Sequence, residues 1–121
     1  MKIAISAAGK NIDSLLDVRF GRCEYFQIHN SENDEVIVIE NKGVVSSGGA
    51  GIVAAQQLID ANVDMIVTGN LGPNAFELIE KAEIKAYKCG NIPVKSVLEK
   101  LKANELEEII LAGPAHSGMG H

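Results

Sequence analysis

The segment 64–68, Asp-Met-Ile-Val-Thr, constrains the fold of this chain most strongly. It is a near-continuous apolar run of strand length, which is typical of a strand buried on both faces in a parallel sheet. Apolar residues at helical spacing precede it over 50–61 and follow it over 73–81. Because a parallel strand between two helices requires crossover connections, the second half of the chain is predicted to consist of βαβ units.

The same two signals, apolar runs of strand length and apolar residues at helical spacing, predict the remaining elements. A polar five-residue turn joins two β-rich runs in the first half, which indicates a hairpin. The predicted strands are 2–6, 25–29, 35–40, 64–68 and 84–87, and the predicted helices are 50–61, 73–81 and 94–103. The order β-β-β-α-β-α-β-α indicates an α/β fold. The pattern assigns no element type to residues 105–111.

Composition limits the classes of partner. A length of 121 residues suits one domain with a single core. The chain has 11 basic and 16 acidic residues, a net charge of −5, and no run of Lys or Arg, so we expect no nucleic acid partner. The apolar stretches are strand-sized and the first residues do not resemble a signal peptide, so we expect no membrane partner and a cytoplasmic location. Cys23 and Cys89 fit no disulfide or C-x-x-C pattern and are predicted to be free thiols.

Glycine-rich loops are predicted to meet at one edge of the sheet. The carboxyl ends of the first strand and of the later parallel strands share that edge, where open α/β sheets bind ligands. The segments that meet there are 8–9, 20–24, 46–51, 68–74 and 89–91. His29 ends the second strand and is therefore expected at the opposite edge.

The loop 46–51, Ser-Ser-Gly-Gly-Ala-Gly, precedes the first helix and leaves backbone N–H groups open at its N-terminus, where anions bind. Residues 49–54 also fit the dinucleotide pattern G-x-G-x-x-A. However, the preceding strand ends well before these glycines, and no carboxylate follows about twenty positions later. We therefore expect no nucleotide. The alternative is that the glycines only permit tight packing and a helix cap.

No catalytic arrangement is legible in the sequence. A nuclease of the ribonuclease H type would need carboxylates for divalent cations, and the first strand supplies none. No Ser-His-Asp or Cys-His pair is positioned, since His29 lies at the opposite edge and the other histidines lie in the tail. The sequence therefore predicts a protein that is not an enzyme.

Three motifs in the chain resemble the dinitrogenase iron-molybdenum cofactor biosynthesis family, which includes NifX, NafY and the C-terminal part of NifB. The motifs are 20–23 (Phe-Gly-Arg-Cys) followed by Tyr25-Phe26, 48–52 (Gly-Gly-Ala-Gly-Ile) followed by Ala55-Gln56, and 68–76 (Thr-Gly-Asn-Leu-Gly-Pro-Asn-Ala-Phe). The resemblance covers about residues 1–102, as in a short stand-alone member. It implies a ribonuclease H-like mixed sheet of five strands in the order 3-2-1-4-5, with strand 2 antiparallel and helices on both faces. Residues 1–104 would form one NifX-like domain, and residues 105–121 a C-terminal extension with a Gly/His-rich tail.

The resemblance also implies a function related to nitrogen fixation. Family members bind or deliver iron-sulfur-type clusters, so we expect a carrier of a cluster like the iron-molybdenum cofactor or its precursor. Its partners would be proteins that donate or accept the cluster, and the chain would be a monomer or a weak homodimer. Thiolates and imidazoles ligate such clusters. The candidate metal ligands are Cys23, Cys89, His116 and His121.

Ten residues of the predicted edge are expected to contact the cluster. They are Arg22, Cys23, Ser47, Gly48, Gly49, Gly51, Asn70, Gly72, Asn74 and Cys89. Structural alternatives remain for several of them: both cysteines could be semi-buried thiols, and Arg22 could pair with Glu24. Asn70 and Asn74 could cap the second helix. A second class of function also stays open, namely a metal-free module whose glycine-rich edge binds a small anion or a partner's peptide.

Overall fold

A mixed β-sheet flanked by helices organises residues 1–113, the part of the chain that the computed structural model describes. In chain order the elements are β1 (Lys2–Ala7), β2 (Tyr25–Asn30), β3 (Val36–Glu40), α1 (Ala50–Asp60), β4 (Met65–Thr68), α2 (Pro73–Lys81), β5 (Lys85–Lys88), α3 (Val94–Lys102) and β6 (Glu107–Glu108). A single 3-10 turn, Lys42–Val45, precedes α1. No helix within residues 1–113 is long and apolar enough to cross a membrane.

The strand order is β3-β2-β1-β4-β5-β6. β2 is antiparallel to both β1 and β3, whereas β1, β4 and β5 run parallel. The structure therefore confirms the predicted order of the first five strands and the antiparallel second strand. The predicted count of five strands is wrong, because β6 adds an antiparallel sixth strand beside β5. β6 is only two glutamates long, so it is too short to show a periodicity, and glutamate is uncommon in strands.

The two faces of the sheet carry separate hydrophobic cores. On one face, α1 and α2 pack over Phe26 and Ile66. On the other face, α3 packs over Ile5 and Val67. Helices thus cover both faces, as predicted. Since neighbouring residues of a strand point to opposite faces, the side chain of His29 lies on the α3 face.

Candidate functional site

A cleft of about 830 Å³ opens at the carboxyl ends of β1 and β4. These strands are neighbours, but the chain continues from β1 to β2 on one side and from β4 to β5 on the other. The cleft therefore lies at a topological switch point, the usual ligand site of an open α/β sheet. Its walls are drawn from the segments 18–22, 47–52 and 69–75. The segments 8–9 and 89–91, which were also expected at this edge, do not line it.

Two helices begin at the cleft with glycine N-caps. Gly49 precedes α1 and Gly72 precedes α2, and neither helix has a side-chain hydrogen bond at its N-cap. Gly49 adopts a φ of 67°, a left-handed conformation that favours glycine. Because the first N–H groups of a helix have no partner within the helix, both N-termini present open donors and partial positive charge. The cleft is thus suited to an anion.

Close backbone contact between two walls requires a glycine at position 21. A Cβ at Gly21 would lie 2.8 Å from the backbone nitrogen of Gly51, in the first turn of α1. No side chain fits at that separation without moving backbone. The segment 18–22 is therefore held against the N-terminus of α1.

Arg19 is a cationic residue of the cleft that the sequence reasoning missed. Its Nη2 donates to Oδ2 of Asp17 at 2.9 Å, and its Nε donates to Oδ1 at 3.1 Å. Burial raises the pKa of Asp17, but the hydrogen bonds and the charge of Arg19 outweigh burial, and the net pKa is lowered. The ionised carboxylate therefore orients the guanidinium. The spacing Asp-x-Arg was the available signal, because it permits this local bidentate contact.

Arg22 has a structural role in addition to its place in the cleft. Its Nη1 donates to the backbone oxygens of Gly43, Val44 and Ser46, at 3.4, 3.3 and 2.9 Å. These bonds hold the loop that leads into α1. The alternative that Arg22 pairs with Glu24 is not realised among residues 1–113.

Asn41 is a second residue that the sequence reasoning missed. It is buried, and its Nδ2 donates to the backbone oxygens of Gly21 and Cys23 at 3.1 and 2.9 Å. Its Oδ1 accepts from the backbone nitrogen of Gly43 at 2.9 Å. Asn41 therefore joins two loops beside the cleft. Only its place directly after a strand could have indicated this capping role.

The charge inside the cleft contrasts with that of the whole chain. Arg19 and Arg22 line the cleft, and no Asp or Glu does. The chain as a whole carries a net charge of −5. Asp17 does not line the cleft but pairs with Arg19, so the uncompensated positive charge comes from Arg22 and from the two helix N-termini.

Most of the residues predicted to contact a ligand line this cleft. They are Arg22, Ser47, Gly48, Gly49, Gly51, Asn70, Gly72 and Asn74. Neither helix uses Asn70 or Asn74 as a side-chain cap, because Gly72 is the N-cap of α2. Their contact with a ligand remains a prediction.

Cys23 and Cys89 lie outside the cleft and apart from each other. Cys23 is fully buried in the core under α1 and α2. Burial, helped by the charge of Asp17, raises the pKa of Cys23 to about 12. Cys89 is buried in the core on the α3 face, and burial raises its pKa as well. Both side chains are therefore protonated thiols at neutral pH, and the sheet separates them.

The described residues contain no preformed metal centre. Within residues 1–113, no group of three or more His, Cys, Asp or Glu side chains is placed to hold a metal ion. The predicted ligands His116 and His121 lie outside the described residues. The last described residue, Gly113, is beside the cleft, where its N–H donates to the backbone oxygen of Leu71 at 2.7 Å.

Similar proteins are known from archaea and bacteria. An uncharacterized protein of Methanocaldococcus jannaschii is 29% identical over 111 residues, which cover 89% of this chain and 91% of that protein. The apo form of the orange protein from Desulfovibrio gigas has a similar structure, with a TM-score of 0.86 and 29% identity over 90% of this chain and 92% of that chain.

A second solved structure is similar over nearly the whole chain. It is the NMR structure of a Thermotoga protein described provisionally as a NifB protein, with a TM-score of 0.82 and 30% identity over 95% of this chain and 98% of that chain. The sequence also matches the family described as Dinitrogenase iron-molybdenum cofactor over residues 1–104. This match covers most of the chain, and the protein therefore belongs to the dinitrogenase iron-molybdenum cofactor family.

Proposed function

We propose that this protein is a non-catalytic carrier that binds an anionic metal–sulfur cluster in the cleft. The cargo would be an iron-sulfur-type cluster related to the iron-molybdenum cofactor or its precursor. One observation carries the proposal: the uncapped N-termini of α1 and α2 converge with Arg19 and Arg22 on a cleft that no carboxylate lines. Hydrogen-bond donors and fixed positive charge hold an anion without any bond between protein and metal.

The size and the apolar rim of the cleft favour a cluster over a single small anion. A volume of about 830 Å³ lies within the range of sites for multi-atom ligands, and a phosphate would leave most of it empty. Val18 and Ile52 also line the cleft, and each is 42% exposed. Such side chains suit the polarisable sulfide faces of a cluster better than they suit a hydrated oxyanion.

The burial of the thiols suggests how a carrier of this design releases its cargo. Cys23 and Cys89 are protonated and buried, and thiolate is the form that ligates metals. A cluster held only by N–H groups and guanidinium groups leaves without breaking a metal–thiolate bond. Reversible holding of this kind suits transfer between a protein that donates the cluster and one that accepts it, in the cytoplasm.

The family supports this cargo. The description of the family to which the chain belongs names the iron-molybdenum cofactor. The structure of the orange protein, which is similar to that of this chain, was solved in a form described as apo. Binding of a small anion such as phosphate, without metal, is the second candidate. The same two helix N-termini favour it.

Anaerobic binding experiments test the proposal. We expect visible absorbance that co-elutes with the protein after reconstitution with iron and sulfide, and saturable binding of tetrathiomolybdate, a dianion with molybdenum–sulfur bonds. Arg19→Gln should weaken tetrathiomolybdate binding about tenfold, and Lys85→Gln, which removes one exposed charge outside the cleft, should not. Raising the salt concentration should weaken binding to the wild type.

Two outcomes would contradict the proposal in different ways. Absence of any bound cluster or thiomolybdate, together with a rise in melting temperature with phosphate, would favour the small-anion module. Loss of cluster binding in a Cys23→Ala/Cys89→Ala variant that still folds would show that thiolates hold the cargo after all. We expect that double variant to bind like the wild type.

A further inference from the structure

A second concavity, of about 710 Å³, lies on the α3 face toward the amino-terminal ends of β1 and β4. We call it the α3 groove. Its apolar walls include Ile3, Ile12, Met65, Leu98 and Leu101. It shares no lining residue with the cleft, which lies at the other end of the sheet. The proposed carrier function does not use it.

His29 lines this groove, and its hydrogen bonds determine which ring nitrogen carries the proton. The residue is 8% exposed, and its Nε2 lies 3.0 Å from Oε1 of Gln27. Nε2 of Gln27 donates to the backbone oxygens of Gly9 and Asn11, at 3.0 and 2.8 Å. Both amide hydrogens of Gln27 are therefore used, so its Oε1 acts as an acceptor toward His29. It follows that Nε2 of His29 carries the hydrogen.

The other ring nitrogen, Nδ1, is consequently a hydrogen-bond acceptor. It has no partner among residues 1–113, and no side-chain nitrogen or oxygen in that part of the chain is both sealed from solvent and unpartnered. Nδ1 therefore keeps solvent contact, and the groove is the space that His29 adjoins. Burial lowers the pKa of His29, so the ring is neutral at neutral pH and Nδ1 keeps its lone pair.

The side-chain charges around the groove balance. Asp34 and Glu99 supply two negative charges, and Lys95 and Lys102 supply two positive charges. The terminal ammonium of Met1, which also lines the groove, lies 4.0 Å from the carboxylate of Glu32. A groove without net charge, with apolar walls and one preset acceptor, selects against ions and for a neutral ligand. Its volume is within the range of small-molecule sites.

We propose that the α3 groove binds a small, neutral, mainly apolar molecule that donates one O–H or N–H hydrogen bond to Nδ1 of His29. Phenol-type and indole-type ring compounds belong to this class. The apolar walls provide burial of the ring, and His29 provides orientation. A molecule of the same shape without a donor would leave the Nδ1 lone pair buried and unpaired, which costs binding free energy.

The matched probes p-cresol and p-xylene test this proposal, because they differ only in a hydroxyl against a methyl group. Each is titrated into the full chain labelled with ¹⁵N, and the amides of the groove and the imidazole nitrogens of His29 are followed by NMR. We expect p-cresol to perturb groove amides such as that of Leu98 and to move the Nδ1 resonance. It should bind about threefold to tenfold more tightly than p-xylene, the ratio that one net hydrogen bond gives.

A variant and three contrary outcomes complete the test. His29→Phe keeps a ring at this position and removes the acceptor, so the two probes should bind it equally. The proposal is overturned if p-cresol at millimolar concentration shifts no groove amide, if Nδ1 does not move, or if p-xylene binds the wild type as tightly as p-cresol. The wild-type Nδ1 signal decides the question even if the variant does not fold. None of these outcomes depends on a cargo in the cleft.

Discussion

The cleft and the α3 groove lie at opposite ends of one sheet and are built from different parts of the chain. Loop backbone and two helix N-termini wall the cleft, which contains arginines and no carboxylate. Side chains of strands and of α3 form most of the groove, which has charges of both signs at its edges. The two proposed sites therefore differ in how they would recognise a ligand: the cleft by electrostatics and N–H donors, the groove by shape and one hydrogen bond.

The contrast follows from the topology. At the carboxyl ends of β1 and β4 the chain turns away on both sides, which leaves an opening that glycine loops can line closely. At the other end, α3 covers β1, β4 and β5, while β2 contributes His29 beside its edge. The groove is therefore an incomplete contact between a helix and a sheet, and it is apolar for that reason.

The largest effect is expected from Gly21→Ala, which should distort the cleft and leave the α3 groove unchanged. The new Cβ would lie 2.8 Å from the backbone nitrogen of Gly51, so the first turn of α1 must shift. We expect a loss of about 1–3 kcal/mol in the free energy of unfolding, as for other overpacked sites. Displaced N–H groups should also lower the affinity for tetrathiomolybdate by more than about tenfold, or 1.4 kcal/mol. Urea denaturation and absorbance titration measure the two effects.

Gly90→Ala is the matched control for that substitution. It also adds one methyl group in a loop, but a Cβ at Gly90 would meet nothing within 4 Å. Stability and cargo affinity should both stay at the wild-type level, and p-cresol binding should be unchanged in either variant. Normal thiomolybdate binding by a folded Gly21→Ala protein would mean that the N-terminus of α1 is not part of the site.

The next largest effect concerns the groove. At pH 7.5, His29→Phe should lose about 1–3 kcal/mol of stability, because Oε1 of Gln27 loses its donor in a buried place. Burial lowers the pKa of His29 below its ordinary value of 6.5, so between these two pKa values the unfolded chain binds more protons than the folded chain. The stability of the folded state with a buried, neutral His29 is therefore highest above pH 6.5 and falls as the pH falls through the lowered pKa.

Urea denaturation at pH 7.5, 6.5 and 5.5 measures that dependence. The wild type should lose stability over this interval, and the His29→Phe variant should lose less of it. An equal loss in both proteins would assign the pH dependence to other groups. Thiomolybdate binding at pH 7.5 serves as the control. Because the cleft lies at the far end of the sheet, the His29→Phe substitution should not change its affinity for thiomolybdate.

The sequence predicts the cleft far better than it predicts the groove. The loops of the cleft follow from strand direction and from glycines adjacent in the chain, which are local signals. The groove joins β1, β2 and α3, and its apolar residues at helical spacing have the same pattern as ordinary core residues. His29 was correctly placed at the opposite edge, but periodicity could not show that a cavity adjoins it.

The cysteines show a second limit of sequence reasoning. A loop position predicted for Cys23 does not say whether the side chain points to the cleft or to the core, and tertiary packing in the core under α1 and α2 decides it. Cys89 follows β5 directly, yet its thiol packs on the α3 face. Similarly, β6 consists of two glutamates whose backbone pairs with Tyr87 and Lys88 of β5, and no local pattern indicates this pairing.

A smaller effect is expected from Asp17→Asn, which removes the charge that orients Arg19. Burial raises the pKa of Asp17, but Arg19 outweighs it, so the pKa in the folded state lies below the ordinary value of 3.8. The contribution of this carboxylate to stability is therefore present above pH 3.8 and is lost as the pH falls through the lowered pKa. The side chain of Arg19 is 63% exposed, so solvent screening limits the effect to less than about 1 kcal/mol.

Urea denaturation at pH 7 and pH 3 measures this effect. The Asp17→Asn variant should be slightly less stable than the wild type at pH 7, and the difference should shrink at pH 3. Asp13→Asn removes an exposed carboxylate of the same loop and should leave the free energy of unfolding unchanged at both pH values. A difference that grows at pH 3 would contradict the sign of the Asp17 shift.

The smallest effect is expected at the thiols, which should not respond to a ligand in the cleft. Cys23 is fully buried with a pKa of about 12, and Cys89 lies on the other face of the sheet. In the free protein, iodoacetamide should modify Cys89 before Cys23, because Cys89 keeps 8% exposure and a reactive thiol must be accessible. Mass spectrometry of the peptides gives the order.

Saturation with diamagnetic tetrathiomolybdate then separates the cleft from the thiols directly. The ¹³Cβ chemical shifts of Cys23 and Cys89, which report on sulfur ligation, should stay at their values in the free protein while the amides of Gly49 and Gly72 move. A large shift at either Cβ would mean that the core opens to let a thiolate reach the metal. That result would contradict the proposal that the cleft holds its cargo by N–H donors while the thiols stay in the core.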